Sequence, residues 1–222
     1  MRRATVEKII QMARLKTDTE ESGFVSNEEL LMQLNHIRRS LYAQIITKTQ
    51  SPQFLTETRL QNSGDGVFEL PEDFFQIKSL QAHFGGVLIH LEPRSLTEIN
   101  EPYDSIYSAY TTNTACYVLL GGDINIFPKS FSQELRLIYN AIPTDLELDE
   151  GEEGVIYNNS IKLLYHEDRY LIAALSEYIM QKEESDYTPY TQERFEVMNE
   201  IFQTYKPSNE FPKKVINCRN RI

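Results

Sequence analysis

Cysteine is scarce: Cys116 and Cys218 are the two thiols in 222 residues. Two thiols so far apart make no disulfide framework, so a reducing compartment is expected. Cys116 lies in an apolar run without a catalytic signature and reads as a small strand residue. No stretch of about 18 apolar residues occurs, so neither a transmembrane helix nor a membrane partner is expected. Residues Met1 to Lys8 lack the apolar centre of a secretory signal. Positive charge is also short, with 22 Lys and Arg against 33 Asp and Glu and a formal net charge of −11. A surface of that sign does not hold phosphates over its whole extent. That sets aside a general nucleic-acid or anionic-membrane binder and leaves room for a local basic patch.

Chemical motifs are missing as well. There is no phosphate-cradling glycine loop, dinucleotide fingerprint, nucleophile elbow, zincin helix or zinc-spaced His/Cys pair. Gly121-Gly122 lacks the following helix that a phosphate site needs. His36 has no partner at ligand spacing, and no second histidine follows His166 at zinc spacing. Asp145 to Gly154 is acidic, but an EF-hand register puts Glu150 where glycine is required and Ile156 where glutamate is required. A solvated charged loop is the plainer reading. No enzyme, cofactor or metal follows from these residues.

What is present is a regular alternation of element types. Ordinary hydrophobic content (41%) and charge content (25%) argue for a folded globular chain. Val6, Ile9, Ile10 and Ala13 have helical spacing, so Thr5 to Arg14 is expected as a short helix. Ser26 and Glu29 form a capping box, with Val25 and Leu30 as its hydrophobic staple. A long helix with the stripe Leu34, Ile37, Leu41 and Ile45 follows and stops before Ser51-Pro52, with Arg38 assigned to its polar side.

Strand patterns begin at Val67. Pro71 breaks the first strand, and Glu72 and Asp73 are turn residues. Leu80 to Phe84, Gly85-Gly86 and Val87 to Leu91 form one glycine hairpin. Tyr117 to Leu120, Gly121-Gly122 and Asp123 to Phe127 form a second, with Ile124 and Phe127 expected inside. Glu134 to Ala141 alternates Leu135, Leu137 and Tyr139 against Arg136 and Asn140. At least five strands with short connections predict an antiparallel sheet or barrel-like module. Tyr103, Tyr107 and Tyr110, in the loop from Arg94 to Thr114, either cover a sheet edge or contact a partner.

Two helices close the pattern. One runs from Tyr165 or His166 to about Glu184, with Glu167 and Asp168 as first-turn acids favoured by the helix dipole. Its expected buried face is Leu171, Ala174, Leu175, Tyr178 and Ile179. The other starts at Thr188-Pro189, with Thr188 as N-cap and the proline at N1, and carries Phe195, Met198, Phe202 and Tyr205 on one face. Beyond it the composition changes. Lys206, Lys213, Lys214, Arg219 and Arg221 stand against Glu210 alone, a local charge of about +4. Phe211, Val215, Ile216 and Ile222 are interspersed, which suits a segment that orders on a partner. The fold class is therefore α+β: N- and C-terminal helices forming a helical core with an inserted antiparallel β module. The expected divisions are 1–60, 61–158, 159–205 and a basic docking tail at 206–222.

This layout resembles the head-to-tail adaptor proteins of tailed bacteriophages, also called head-completion or ring proteins. The resemblance is carried by the capped helix with Leu34-Asn35, the turn Leu70 to Phe74, Pro93 to Ser95, Gly122 to Pro128, Leu137 to Pro143 and the helix from His166. It implies a virion protein at the capsid–tail junction, made in the host cytoplasm. It further implies a ring of about twelve neighbouring copies beneath the portal protein, docked through the C-terminal segment. The opposite face would meet a downstream tail or ring protein, and DNA would pass through without sequence-specific binding. The docking residues implied are Lys206, Phe211, Lys213, Lys214, Val215, Ile216, Arg219, Arg221 and Ile222. Two other readings stay open: a tail or baseplate component binding its neighbours through the β module, and a hydrolase built from the acidic loop and His166.

Overall fold

A computed structural model describes residues 3–20, 23–61, 66–84, 87–95, 115–127, 134–146, 149–151, 154–156, 160–162 and 164–206. The fold is α+β, as expected. Helices α1 (Val6–Lys16), α2 (Asn27–Thr49), α3 (Glu167–Lys182) and α4 (Thr188–Tyr205) enclose one apolar core. Between α2 and α3 the chain builds a two-sheet module with a core of its own. A short strand β1 (Arg3–Thr5) pairs antiparallel with β12 (Ser160–Lys162), so the chain just before α1 lies beside the chain that leads into α3.

The helices form where local signals coincide. Ser26 accepts a hydrogen bond from the Glu29 amide at 3.1 Å, and both staple residues, Val25 and Leu30, are buried. Only half of the capping box closes across its own turn: the Glu29 carboxylate instead takes the Tyr178 hydroxyl and Lys182 of α3. Helix α2 ends when Gln50 turns left-handed (φ 48°) and its amide bonds the Ile46 carbonyl, just ahead of Pro52. Helix α1 buries the four residues its spacing picks out. Of the expected face of helix α4, Met198 and Tyr205 are buried and Phe202 packs against the core, but Phe195 is 58% exposed; Val197 and Ile201 complete the buried stripe. Side-chain size suggested Phe195; the 3.6-residue period through Val197 and Ile201 decides instead. Thr188 is not the capping group either. Asp186 accepts from the Thr188 amide at 3.0 Å.

The β module is two stacked four-stranded sheets rather than one. The first has the order β2 (Leu55–Leu60), β9 (Leu135–Ala141), β4 (Phe74–Phe84), β5 (Val87–His90). The second has β3 (Val67–Glu69), β8 (Asp123–Phe127), β7 (Cys116–Leu120), β6 (Glu92–Pro93). The β6–β7 pair is parallel, which the short-connection argument did not foresee. A further small hairpin joins β10 (Asp149–Gly151) to β11 (Gly154–Ile156). Both glycine hairpins appear in the expected register, with Phe84 opposite Val87 and Leu120 opposite Asp123. Gly121 (φ 63°) and Gly122 (φ 100°) supply the two left-handed positions such a turn needs.

Phe68, Leu80, Leu91, Ile124, Ile126, Leu135 and Leu137 fill the space between the sheets. Ile126 replaces the expected Phe127 inside, because residues two apart, not three, share a strand face. Cys116 is buried in β7.

Within Val67 to Leu80, the apolar residues divide. Phe68 and Leu80 belong to the sandwich, with Leu70, Phe74 and Ile77 packed against it, whereas Phe75 packs against the helical core. Asp73 does more than shape a turn. Its carboxylate accepts from the Tyr139 hydroxyl at 2.8 Å and its carbonyl from the Ile142 amide at 2.9 Å, fastening the turn to the end of β9. Burial and that carboxylate push the Tyr139 phenol up to about 12.

Candidate functional site

The helical core and the sandwich meet at a cleft of about 730 Å³ lined by Arg38, Tyr42, Phe54, Asp73, Ile142 and Tyr205 among others. Its floor is built from α2. Arg38 and Tyr42, four residues apart and so on one helical face, both reach Glu167 in the first turn of α3. Arg38 Nε lies 3.0 Å from one carboxylate oxygen, and the Tyr42 hydroxyl donates to the other at 3.1 Å. The Leu164 amide donates to that second oxygen at 2.6 Å. Glu167 is fully buried, and Arg38 nearly so.

Burial raises the Glu167 carboxyl above its ordinary range, outweighing the Leu164 amide, Arg38 and Tyr42, which favour its ionised form. Burial likewise pushes the Tyr42 phenol upward, reinforced by the Glu167 charge. These three groups hold one another across the junction of α2 and α3.

This cluster corrects one reading and extends another. Arg38 is not on the polar side of α2; Glu167 is a first-turn acid of α3 as expected, but it is buried and paired with Arg38. The signal for the first was available, since Leu34, Arg38, Leu41 and Ile45 follow a 4-3-4 spacing that places the arginine inside the apolar stripe. Glu167 had no comparable signal, because its partner is 129 positions away.

The cleft also holds the root of the C-terminal segment. Tyr205, the last residue of α4, is buried against Phe54 with ring centroids 5.5 Å apart, and Phe54 meets Tyr42 edge-on at 5.8 Å. The Tyr205 hydroxyl accepts from the Tyr165 amide at 3.1 Å. Lys206 follows and is exposed. Of the expected docking residues, Lys206 alone is described. Phe211, Lys213, Lys214, Val215, Ile216, Arg219, Arg221 and Ile222 lie outside the described residues, as do Tyr103, Tyr107 and Tyr110.

Two α2 side chains hold the segment after β9: Arg39 lies 3.2 Å from Asp145, and Asn35 bonds Leu146. Asn35 Nδ2 donates to the Leu146 carbonyl and its Oδ1 accepts from the Leu146 amide, both at 2.9 Å. His166 Nε2 lies 3.6 Å from Glu200 of α4. Among the described residues no three His, Cys, Asp or Glu side chains stand together as a metal site would require. None of their helices is long and apolar enough to cross a membrane.

A family model described as SU10 adaptor protein matches residues 4–209. The chain belongs to the SU10 adaptor protein family. The match runs from β1 through all four helices to just beyond Lys206, and so takes in the cleft and the tail root. This is a family of phage structural adaptors, not of enzymes, and its members are virion components. No curated protein matches the chain.

Proposed function

We propose that this SU10-family chain is a head-to-tail adaptor, forming a ring of about twelve copies that docks on the portal protein and connects capsid to tail. The carrying observation is the family match over residues 4–209, nearly the whole chain. The geometry adds a reason for the tail to be the docking element. A basic, partly apolar segment follows Tyr205 in the chain, and the ring and hydroxyl of Tyr205 are both held by the core. Rigid anchorage of one end lowers the cost of ordering the rest on a partner. A charge of about +4 in a chain of net −11 suits an acidic portal surface. The negative remainder suits a conduit that DNA crosses without being gripped.

The test is co-expression with the portal protein of the same phage. A ring complex is expected by electron microscopy, and a chain truncated after Tyr205 should lose portal binding while unfolding at the same temperature as the full chain. Unchanged binding by the truncated chain sinks the tail assignment. Localisation away from the portal vertex favours the tail or baseplate reading instead.

A further inference from the structure

The first sheet ends in two edge strands with no further partner among the described residues: β2 pairs only with β9 and β5 only with β4. Strand β5 exposes Val87 (63%) and Leu88 (44%). It contains no Lys, Asp, Glu or Pro, the residues that ordinarily blunt a sheet edge. At the far edge β2 exposes Leu55 (41%), and its two charges are matched within the sheet. Arg136 grips Glu57 through contacts of 2.7 and 2.6 Å, and Arg59 lies 3.5 Å from Glu134. Neither edge strand presents an unmatched charge to a neighbour.

Strand direction narrows the choice of neighbour. Every pairing in this sheet is antiparallel, so across four strands β2 and β5 point in opposite directions. Two copies set side by side in the same orientation therefore bring β5 of one against β2 of the next in the pairing the sheet already uses. The faces agree as well. Leu88 is opposite His83, Gln81 is opposite Arg136, and Arg136 is opposite Arg59. Alternation then places Leu88, Arg59, Glu57 and Leu55 on one face. Sheet continuation would put Leu88 of one copy and Leu55 of its neighbour on a shared apolar strip. Such a contact joins two different edges, and repeated with a constant rotation it closes a ring.

We infer that β5 of one copy adds to β2 of the neighbouring copy and that this joint closes the adaptor ring. The inference rests on the ring reading above. Its test is disulfide trapping in rings assembled with the portal, all chains carrying Cys218→Ser. Leu88→Cys is mixed in turn with Leu55→Cys, Glu57→Cys and Arg59→Cys, which sample the possible registers along one face. A covalent dimer between the two mixed chains is expected for one of the three. A self-dimer of Leu88→Cys would instead mean that two β5 edges meet, and overturns the inference. Intact rings without any of these cross-links overturn it too, while leaving the ring reading standing. Failure to form any ring with the portal overturns both. Independently, Leu88→Lys at an exposed position should leave the unfolding temperature of the single copy unchanged and raise the concentration needed for assembly about tenfold. Assembly at the wild-type concentration speaks against the joint.

Discussion

The helical core and the β sandwich fix their registers by different means. Adjacent helices can pack in several ridge-and-groove settings, so directional contacts are needed to choose one. The core has them where α3 meets each of the other three helices. Arg38, Tyr42 and Glu167 key α2 to α3, as do Glu29, Tyr178 and Lys182. Glu177 takes the Thr191 hydroxyl and lies 2.6 Å from Arg194 Nε, off that nitrogen's N–H axis, keying α3 to α4. Ser176 donates to the Ala13 carbonyl and keys α3 to α1. Among the described residues the sandwich buries no charged side chain; apolar side chains and the tyrosines at positions 117 and 139 fill its interior. Strand register is set by the backbone ladder and by alternation, since a one-residue slip would turn Leu135 and Leu137 outward. A body that must keep one shape uses polar keys.

The comparison breaks most sharply at Glu167. Glu167→Ala leaves Arg38 buried without its partner, and the expected loss is about 3–5 kcal/mol. The double change Arg38→Met with Glu167→Leu should recover most of that loss, because apolar residues of similar volume replace a buried ion pair at little cost. Denaturant titration of the three chains checks it. A double variant as unstable as Glu167→Ala would show that the charges stabilise the fold as well as select its register. In the sandwich the matching test is Leu80→Ala, which removes fully buried apolar atoms and should cost about 2–5 kcal/mol. There no second substitution should restore stability unless it refills the volume.

The two regions were unequally legible for the same reason. Signals carried by neighbouring residues were readable: the Ser26 cap, the Val25 and Leu30 staple, the Gly121-Gly122 turn, the alternation in β9. Contacts between distant positions were not. Strand β2 went unseen because Leu55 to Leu60 buries only its last residue, so no alternation marks it. Its identity comes from pairing with β9, some eighty residues on. Asn140 read as solvent-facing, yet it is buried and donates to Gln76 at 3.3 Å. At the junction, Arg38 was legible as a charge within an apolar stripe, whereas Glu167, Phe54 and Asp73 gain their meaning only when the core and the module are brought together.

A smaller effect sharpens the local side of the comparison. Ser26→Ala removes the acceptor for the Glu29 amide and should cost about 1 kcal/mol. Thermal unfolding will detect it. Because Glu29 is held from α3 rather than by its own turn, Glu29→Gln should weaken α2 against α3 and leave the Ser26 cap intact. Amide exchange at Glu29 should therefore stay protected in Glu29→Gln and become fast in Ser26→Ala.

The smallest expected effect concerns pH, and the two regions carry opposite signs. Glu167 has its carboxyl raised by burial, so folding penalises its ionised form. Its contribution is fully present below the ordinary carboxylate range and is lost as pH rises through the raised value. Glu57, on the open face of the sheet, has its carboxyl lowered by the hydrogen-bonded Arg136. Its contribution is present above the ordinary range and is lost as pH falls through the lowered value. The wild-type advantage over Glu167→Gln should therefore be larger near pH 4 than near pH 7, and should change little with salt, since both partners are buried. The advantage over Glu57→Gln should be smaller, run the other way with pH and fade in about 1 M salt, as an exposed pair does. If the Glu57 advantage survives high salt, its ion pair is shielded, as a neighbouring copy laid along β2 would make it. The salt series is therefore best run on both single copies and assembled rings.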